Sequence, residues 1–242
     1  MDTLFWTRSN PNIAVEHTTK KYFGKYLYKV VVYCPAGRLI DGKGTIETEL
    51  AHRREVSKNI NPGGWWGNRF NKDLDNADPK LLAKLRDIRH DRTLGIKLRV
   101  EEPRIQIYAE TNDQLVDFVN THIGKAQLNR LESVAGPIDE SAEDILNTGA
   151  ILRKTDIGYR YKVILRDGRY TPEIKRQLFE YLTNLGPDQI QLPKSARQML
   201  QKNNNFIWNL YFYSQDPQIN SFINLISPGI VSNCHELVVM SK

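Results

Sequence analysis

The stretch Tyr26-Leu27-Tyr28-Lys29-Val30-Val31-Val32 decides how the chain is read, because a close copy returns in its second half as Tyr159-Arg160-Tyr161-Lys162-Val163-Ile164-Leu165. Both read Tyr-x-Tyr-Lys-Val followed by two apolar residues, and both soon reach Gly-Arg, at Gly37-Arg38 and Gly168-Arg169. β-Branched and aromatic residues in a short run bounded by turn residues describe a strand. Two such strands at matching places predict an internal duplication.

The residues downstream continue the match. Ile105-Gln106-Ile107-Tyr108 leads through Asn112-Asp113 into an amphipathic run, Gln114 to Val119. Leu210-Tyr211-Phe212-Tyr213 leads through Asp216-Pro217 into another, Gln218 to Ile223. Each is a strand, a capping residue and a helix with apolar residues at i, i+3 and i+4. Each half ends in an apolar run, Leu131 to Val134 and Leu237 to Met240. Further helices are expected at Pro79 to Arg89 and from Pro172 through Leu185, with strands at Ile96–Val100, Gln189–Leu192 and Phe206–Tyr213 and a basic loop or short helix between the last two.

Each half therefore reads β-α-β-β-α-β. With right-handed crossovers this order builds a four-stranded antiparallel sheet backed by two helices. The expected fold is α+β, two tandem ferredoxin-like domains from an internal duplication. Domain 1 spans residues 1–135 with an N-terminal arm and an insertion at about 38–72, read as a hairpin over Arg38 to Glu49 followed by a Trp-Trp loop. An acidic linker, 136–150, leads to domain 2 at 151–242.

Charge follows the same division. Residues 1–135 carry 22 basic and 17 acidic side chains, residues 136–150 carry 4 acidic and no basic ones, and residues 151–242 carry 12 basic and 7 acidic. Two basic blocks around an acidic connector suit an acidic partner such as nucleic acid. No apolar run approaches the roughly 18 residues of a membrane span, and Met1 to Trp6 has neither the basic start nor the apolar core of a secretion signal. Cys34 and Cys234, the only cysteines, are expected as two buried thiols in a reducing cytoplasm.

Period-two alternation assigns the sheet faces. A lysine beneath the helices would be desolvated without a partner, so Lys29 belongs on the open face, with Tyr26, Tyr28, Val30 and Val32 toward the core. The same argument leaves Lys97, Arg99, Arg104, Gln106 and Tyr108 open in the first half. In the second, Arg160, Lys162, Asn209, Tyr211 and Tyr213 are open, while Tyr159, Tyr161, Phe206, Trp208, Leu210 and Phe212 go in. Cations among planar side chains suit a single-stranded nucleic acid, because Lys and Arg neutralise phosphates, rings stack bases, and Asn or Gln reads base edges. Arg53, Arg54, Lys58, Trp65, Trp66 and Arg69 add charge and stacking surface from the insertion.

Catalytic signatures are sparse. His17, His52, His90, His122 and His235 form no metal-ligand spacing with the cysteines. There is no phosphate-binding glycine loop and no nucleophile elbow, so neither metal nor cofactor is expected. The sheet order resembles that of RNA-recognition-motif proteins, with Lys29 standing where their first-strand open-face aromatic belongs. Size, basic charge and tandem layout also resemble CRISPR repeat-processing endoribonucleases. That resemblance implies metal-free RNA cleavage by acid–base side chains, with His17 or His52 beside Tyr22 and Lys20 or Lys21 as candidates. The glycine-rich loop of those proteins near the C-terminus is missing, and Ser227-Pro228-Gly229-Ile230 stands there instead. A third reading is a viral or phage assembly or scaffold protein with Trp65-Trp66 as its protein anchor. The expectation taken forward is a non-catalytic, cytoplasmic, single-strand nucleic-acid-binding protein, RNA favoured, with Trp65-Trp66 a possible protein contact and no membrane partner.

Overall fold

A computed structural model describes residues 3–59, 74–89 and 91–240. The chain divides into two compact units, residues 1–143 and 144–242, each an α+β structure with its own five-stranded sheet.

The first unit begins with α1 (Thr3–Ser9) and β1 (Ala14–His17). Its central strand is β2 (Tyr28–Tyr33). The chain then runs through a 3₁₀ turn (Gly37–Asp41), α2 (Ile46–Asn59) and α3 (Pro79–Ile88) to β3 (Lys97–Glu101) and β4 (Arg104–Ala109). α4 (Asn112–Phe118) continues as one π-turn (Val119–Ile123), and β5 (Leu131–Gly136) closes the sheet. The helix starts follow local chemistry. The Asp78 carboxylate caps α3 with Pro79 in its first turn, and Thr111 and Gln114 form a reciprocal capping box on α4.

The second unit takes the last turns of α5 (Glu140–Asn147), then β6 (Ile151–Arg153), β7 (Tyr161–Leu165) and the short β8 (Gly168–Arg169). α6 (Pro172–Asn184), β9 (Ile190–Gln191) and α7 (Lys194–Gln201) follow. β10 (Phe206–Ile207), β11 (Tyr211–Ser214), α8 (Ile219–Ile226) and β12 (Val231–Val239) complete it.

The strand orders are β1-β5-β2-β4-β3 and β6-β12-β7-β11-β9. In each sheet the first member is a short edge strand running parallel to the unit's last strand. The other four are antiparallel neighbours in the order last, first, third, second. Val30, Val32, Ile105 and Ile107 fill the core side of the first sheet beneath Leu115 and Phe118. Val163, Leu165, Phe212, Leu178, Leu182 and Ile223 do the same in the second. Burying each such side chain contributes about 1.5–3 kcal/mol, which fixes which face turns inward.

Several expectations are corrected. Residues 38–49 form the 3₁₀ turn and the start of α2 rather than a hairpin; Glu49 turns back to accept from the Gly44 amide, closing the chain into the helix start. The N-terminal arm carries α1 and β1, with Trp6 fully buried and the Asn10 amide donating to the Leu131 carbonyl at 2.7 Å. The strand expected over Phe206–Tyr213 is two pieces, β10 and β11. Cys34 is buried as expected, but Cys234 is exposed on β12. The Trp65-Trp66 part of the insertion lies outside the described residues.

Candidate nucleic-acid interface

The face of the first sheet turned away from its helices carries the expected cations. Cross-strand register sets Glu16, Lys29, Tyr108 and Lys97 in one row. Val31, Gln106 and Arg99 form the next, and Tyr33, Arg104 and Glu101 the third. Each cation already has a local partner. Lys29 lies 3.4 Å from Glu16 and Arg99 lies 2.7 Å from Glu101, while Arg104 pairs with Glu132. The Lys97 ammonium stands 4.3 Å above the Phe23 ring.

That face is also covered. The chain turns tightly before β2, where Tyr22 and Tyr26 form an isolated bridge around Phe23, Gly24 and Lys25. The rings of Tyr22, Phe23 and Tyr26 pack on Tyr108 at 5.2, 5.1 and 6.3 Å, leaving Tyr108 only 3% exposed. Its hydroxyl bonds to Gln106, and burial pushes its pKa upward. Tyr108 therefore faces the expected way but is not a stacking surface. Tyr26, expected in the helical core, packs on this opposite face instead. Leu27 is the buried residue beside it, so the alternation of β2 does not extend back to Tyr26.

The second sheet presents a different face. His235, Lys162, Tyr213 and Gln191 share one row, and Asn233, Ile164 and Tyr211 the next. Among the strand positions on this face, none is an Asp or Glu. Lys162 holds its ammonium 4.0 Å from the Tyr211 ring centroid. Tyr211 meets Tyr213 edge-on at 5.6 Å, and Tyr213 stacks with Tyr159 at 6.5 Å and 26°. Burial and the neighbouring Tyr211 raise the Tyr213 pKa, so its hydroxyl stays protonated at neutral pH. Tyr159, expected in the core, instead turns to Tyr213 and anchors its hydroxyl on the Pro187 carbonyl. Arg160 is exposed as expected, 3.7 Å from Glu236 and over the Tyr161 ring.

Asn209 has φ +49, a left-handed conformation that asparagine adopts more readily than most residues. It reverses strand parity. Ile207 and Leu210 both face the core, so Phe206 and Trp208, expected inside, are turned out. The asparagine before Leu210 is the sequence signal that could have warned of this break. Nothing comparable in the sequence announced that Tyr22 and Phe23 would fold over the first sheet.

The remaining candidates do not gather at either face. Arg53 lies on α2, 3.5 Å from Glu102, and Arg54 donates to the Leu74 carbonyl. The Lys58 side chain, Trp65, Trp66 and Arg69 lie outside the described residues. His17 pairs with Gly136 and therefore points to the side of β1 opposite Glu16, whereas Tyr22 lies over Lys29 on the Glu16 side. His52 is exposed on α2. Among the described residues, His235 shares a row with Lys162 on the second sheet, a place that sequence reasoning left unassigned. Its Nδ1 donates to the Gly149 carbonyl at 2.8 Å.

Among the described residues no group of His, Cys, Asp and Glu could hold a metal ion, and no helix is long and apolar enough to cross a membrane. Fold and faces define an α+β protein of two sheet-bearing units, one whose face is covered by the Tyr22, Phe23 and Tyr26 rings and one whose face carries Lys162 among Tyr211, Tyr213 and Tyr159. The chain matches no protein-family model and no curated protein.

Proposed function

We propose that the chain is a non-catalytic single-stranded nucleic-acid-binding protein, RNA favoured over DNA, built from two ferredoxin-like units that arose by duplication. The repeated Tyr-x-Tyr-Lys-Val strand and the common strand order support the duplication. One observation carries the binding function: Lys162 poised over Tyr211 beside the Tyr213–Tyr159 stack, on a face whose strand positions lack carboxylates. A phosphate is attracted to the ammonium, and unpaired bases stack on the exposed parts of the rings. The amides of Gln191 and Asn233 on the same face can meet base edges or a ribose 2′-hydroxyl. Trp65-Trp66 joins this reading as a further stacking element on its sequence alone. Two free thiols suit the reducing cytoplasm as its setting.

The test is a titration of a labelled single-stranded RNA, and of the same DNA sequence, at low and moderate salt. Affinity should fall steeply with salt, because bound cations displace counterions from the backbone, and RNA should bind at least as tightly as DNA. No binding at low salt, or an affinity indifferent to salt, contradicts the proposal. Release of cut RNA by the pure protein would replace it with the endoribonuclease reading.

A further inference from the structure

Beyond the face of the second sheet, the β8–β10 ribbon carries two rings that the fold does not use. Trp208 is 56% exposed and Phe206 is 38% exposed, stacked on each other at 5.9 Å and 27°. Neither belongs to the core cluster, which takes Ile207 and Leu210 from the same segment. A ring left in water forgoes the stabilisation of burial, so its position invites a partner.

The backbone beneath the pair is firmly held. The Lys175 side chain on α6 is 1% exposed and donates to the Lys202 carbonyl at 2.7 Å, the Asn204 carbonyl at 3.0 Å and the Asn204 side-chain oxygen at 2.8 Å. All three ammonium donors are thus used to fix the turn that leads into β10. On the other side, the Asn209 amide donates to the Asp167 carboxylate at 2.7 Å, and the Tyr170 amide to the Asn205 carbonyl at 2.9 Å. Phe206 pairs in register with Arg169 across the ribbon. The platform is preorganised, with Arg169 on its paired strand, so a ligand need not order it on binding.

Direction completes the argument. Ile207 faces the helical core, so its neighbours Phe206 and Trp208 project to the opposite side. Tyr211 and Tyr213 likewise project away from core residues Leu210 and Phe212. The left-handed Asn209 is what brings both pairs to the same side of the chain.

We propose that Phe206 and Trp208 form a second base-stacking platform that continues the path of a single strand from Tyr213 and Tyr211 along the β8–β10 ribbon, with Arg169 contacting its backbone. This inference rests on the single-strand-binding reading of the second sheet. It assigns to the site a ligand longer than the sheet face alone would accommodate. It also requires unpaired bases, because a ring stacks only on a base whose face is free.

The test uses the full chain, a two-nucleotide and a twelve-nucleotide oligouridylate, and three proteins: wild type, Trp208→Ala and Trp208→Phe. Thermal melting of each comes first, and the exposure of Trp208 predicts unchanged midpoints. Trp208→Ala should weaken binding of the longer strand about tenfold or more, as loss of one stacked base does. Its affinity for the dinucleotide should match wild type, and Trp208→Phe should recover most of the loss. Wild-type protein that binds neither strand overturns the reading of the sheet and this extension with it. Wild-type binding of the long strand that Trp208→Ala retains overturns the extension alone and leaves the ring pair to a protein partner. A lowered midpoint for Trp208→Ala also overturns it, by showing the ring to be structural.

Discussion

Both sheets place a lysine at the same point of the strand that the sequence repeats, and the two lysines meet different surroundings. Lys29 lies against Glu16 beneath the Tyr22 ring, on a face where Arg99 and Arg104 are also paired with carboxylates. Lys162 lies over Tyr211 on a face without a carboxylate at its strand positions. The difference comes from the residues just upstream of the strand. In the first unit Tyr22-Phe23-Gly24-Lys25-Tyr26 folds three rings onto Tyr108, with Gly24 at φ +71 making the reversal. In the second, Asp156-Ile157-Gly158-Tyr159 also turns at a glycine, φ +78, but delivers one ring, which stacks on Tyr213 at 6.5 Å. The two Tyr-x-Tyr-Lys-Val strands match in sequence; the few residues before them decide whether a face is closed or presented.

The largest expected effect breaks this comparison through stability. Tyr108 is the centre of the aromatic cover, so Tyr108→Ala should cost about 3–5 kcal/mol, as large buried aromatics do. Tyr213→Ala, at the corresponding place in the second sheet, removes a half-buried ring and should cost no more than about 1–2 kcal/mol. Urea denaturation of both variants measures the pair. Equal losses would mean that the second face is as tightly covered as the first.

A smaller effect separates the two thiols. Burial pushes the Cys34 thiol from its ordinary 9.0 up to about 12, with the Arg130 charge opposing only in part. The folded chain therefore keeps this proton at a pH where the unfolded chain releases it. Its contribution to stability is complete below about pH 9 and declines as pH rises toward 12, at a slope of up to about 1.4 kcal/mol per pH unit. Relative to wild type, Cys34→Ala should show a shallower loss of stability between pH 9 and 10.5. In the native protein at pH 8 a thiol reagent should label the exposed Cys234 and spare Cys34, which mass spectrometry reads directly.

Much of the fold was legible because it is governed by period. The alternation through Val30, Val32, Ile105 and Ile107 assigns the core side of the first sheet, and the apolar spacing of Leu81, Leu82 and Leu85 gives α3. The edge strands β1 and β6 were not legible, since four and three residues are too few for alternation to register. The hairpin expected at Arg38 failed because glycines that suggest a tight turn also precede helices. At the candidate site, the side to which Lys29, Lys162, Tyr211 and Tyr213 point was readable from parity. What covers those residues was not, because the contacts of Tyr22, Phe23 and Tyr159 depend on loop geometry rather than on any repeat. The parity error at Phe206 and Trp208 has a single cause, one left-handed residue at Asn209.

The central claim is that single-stranded nucleic acid engages the second sheet and not the first. It is tested most directly by charge reversal on each face, Lys162→Glu and Lys97→Glu, with anisotropy of a labelled twelve-nucleotide RNA at low salt. Lys97 is the exposed lysine of the first face, over Phe23, so both substitutions introduce the same charge. Lys162→Glu should weaken binding about tenfold or more, through lost phosphate neutralisation and new repulsion, while Lys97→Glu should stay within about twofold of wild type. Equal losses, or a greater loss from Lys97→Glu, would contradict the account.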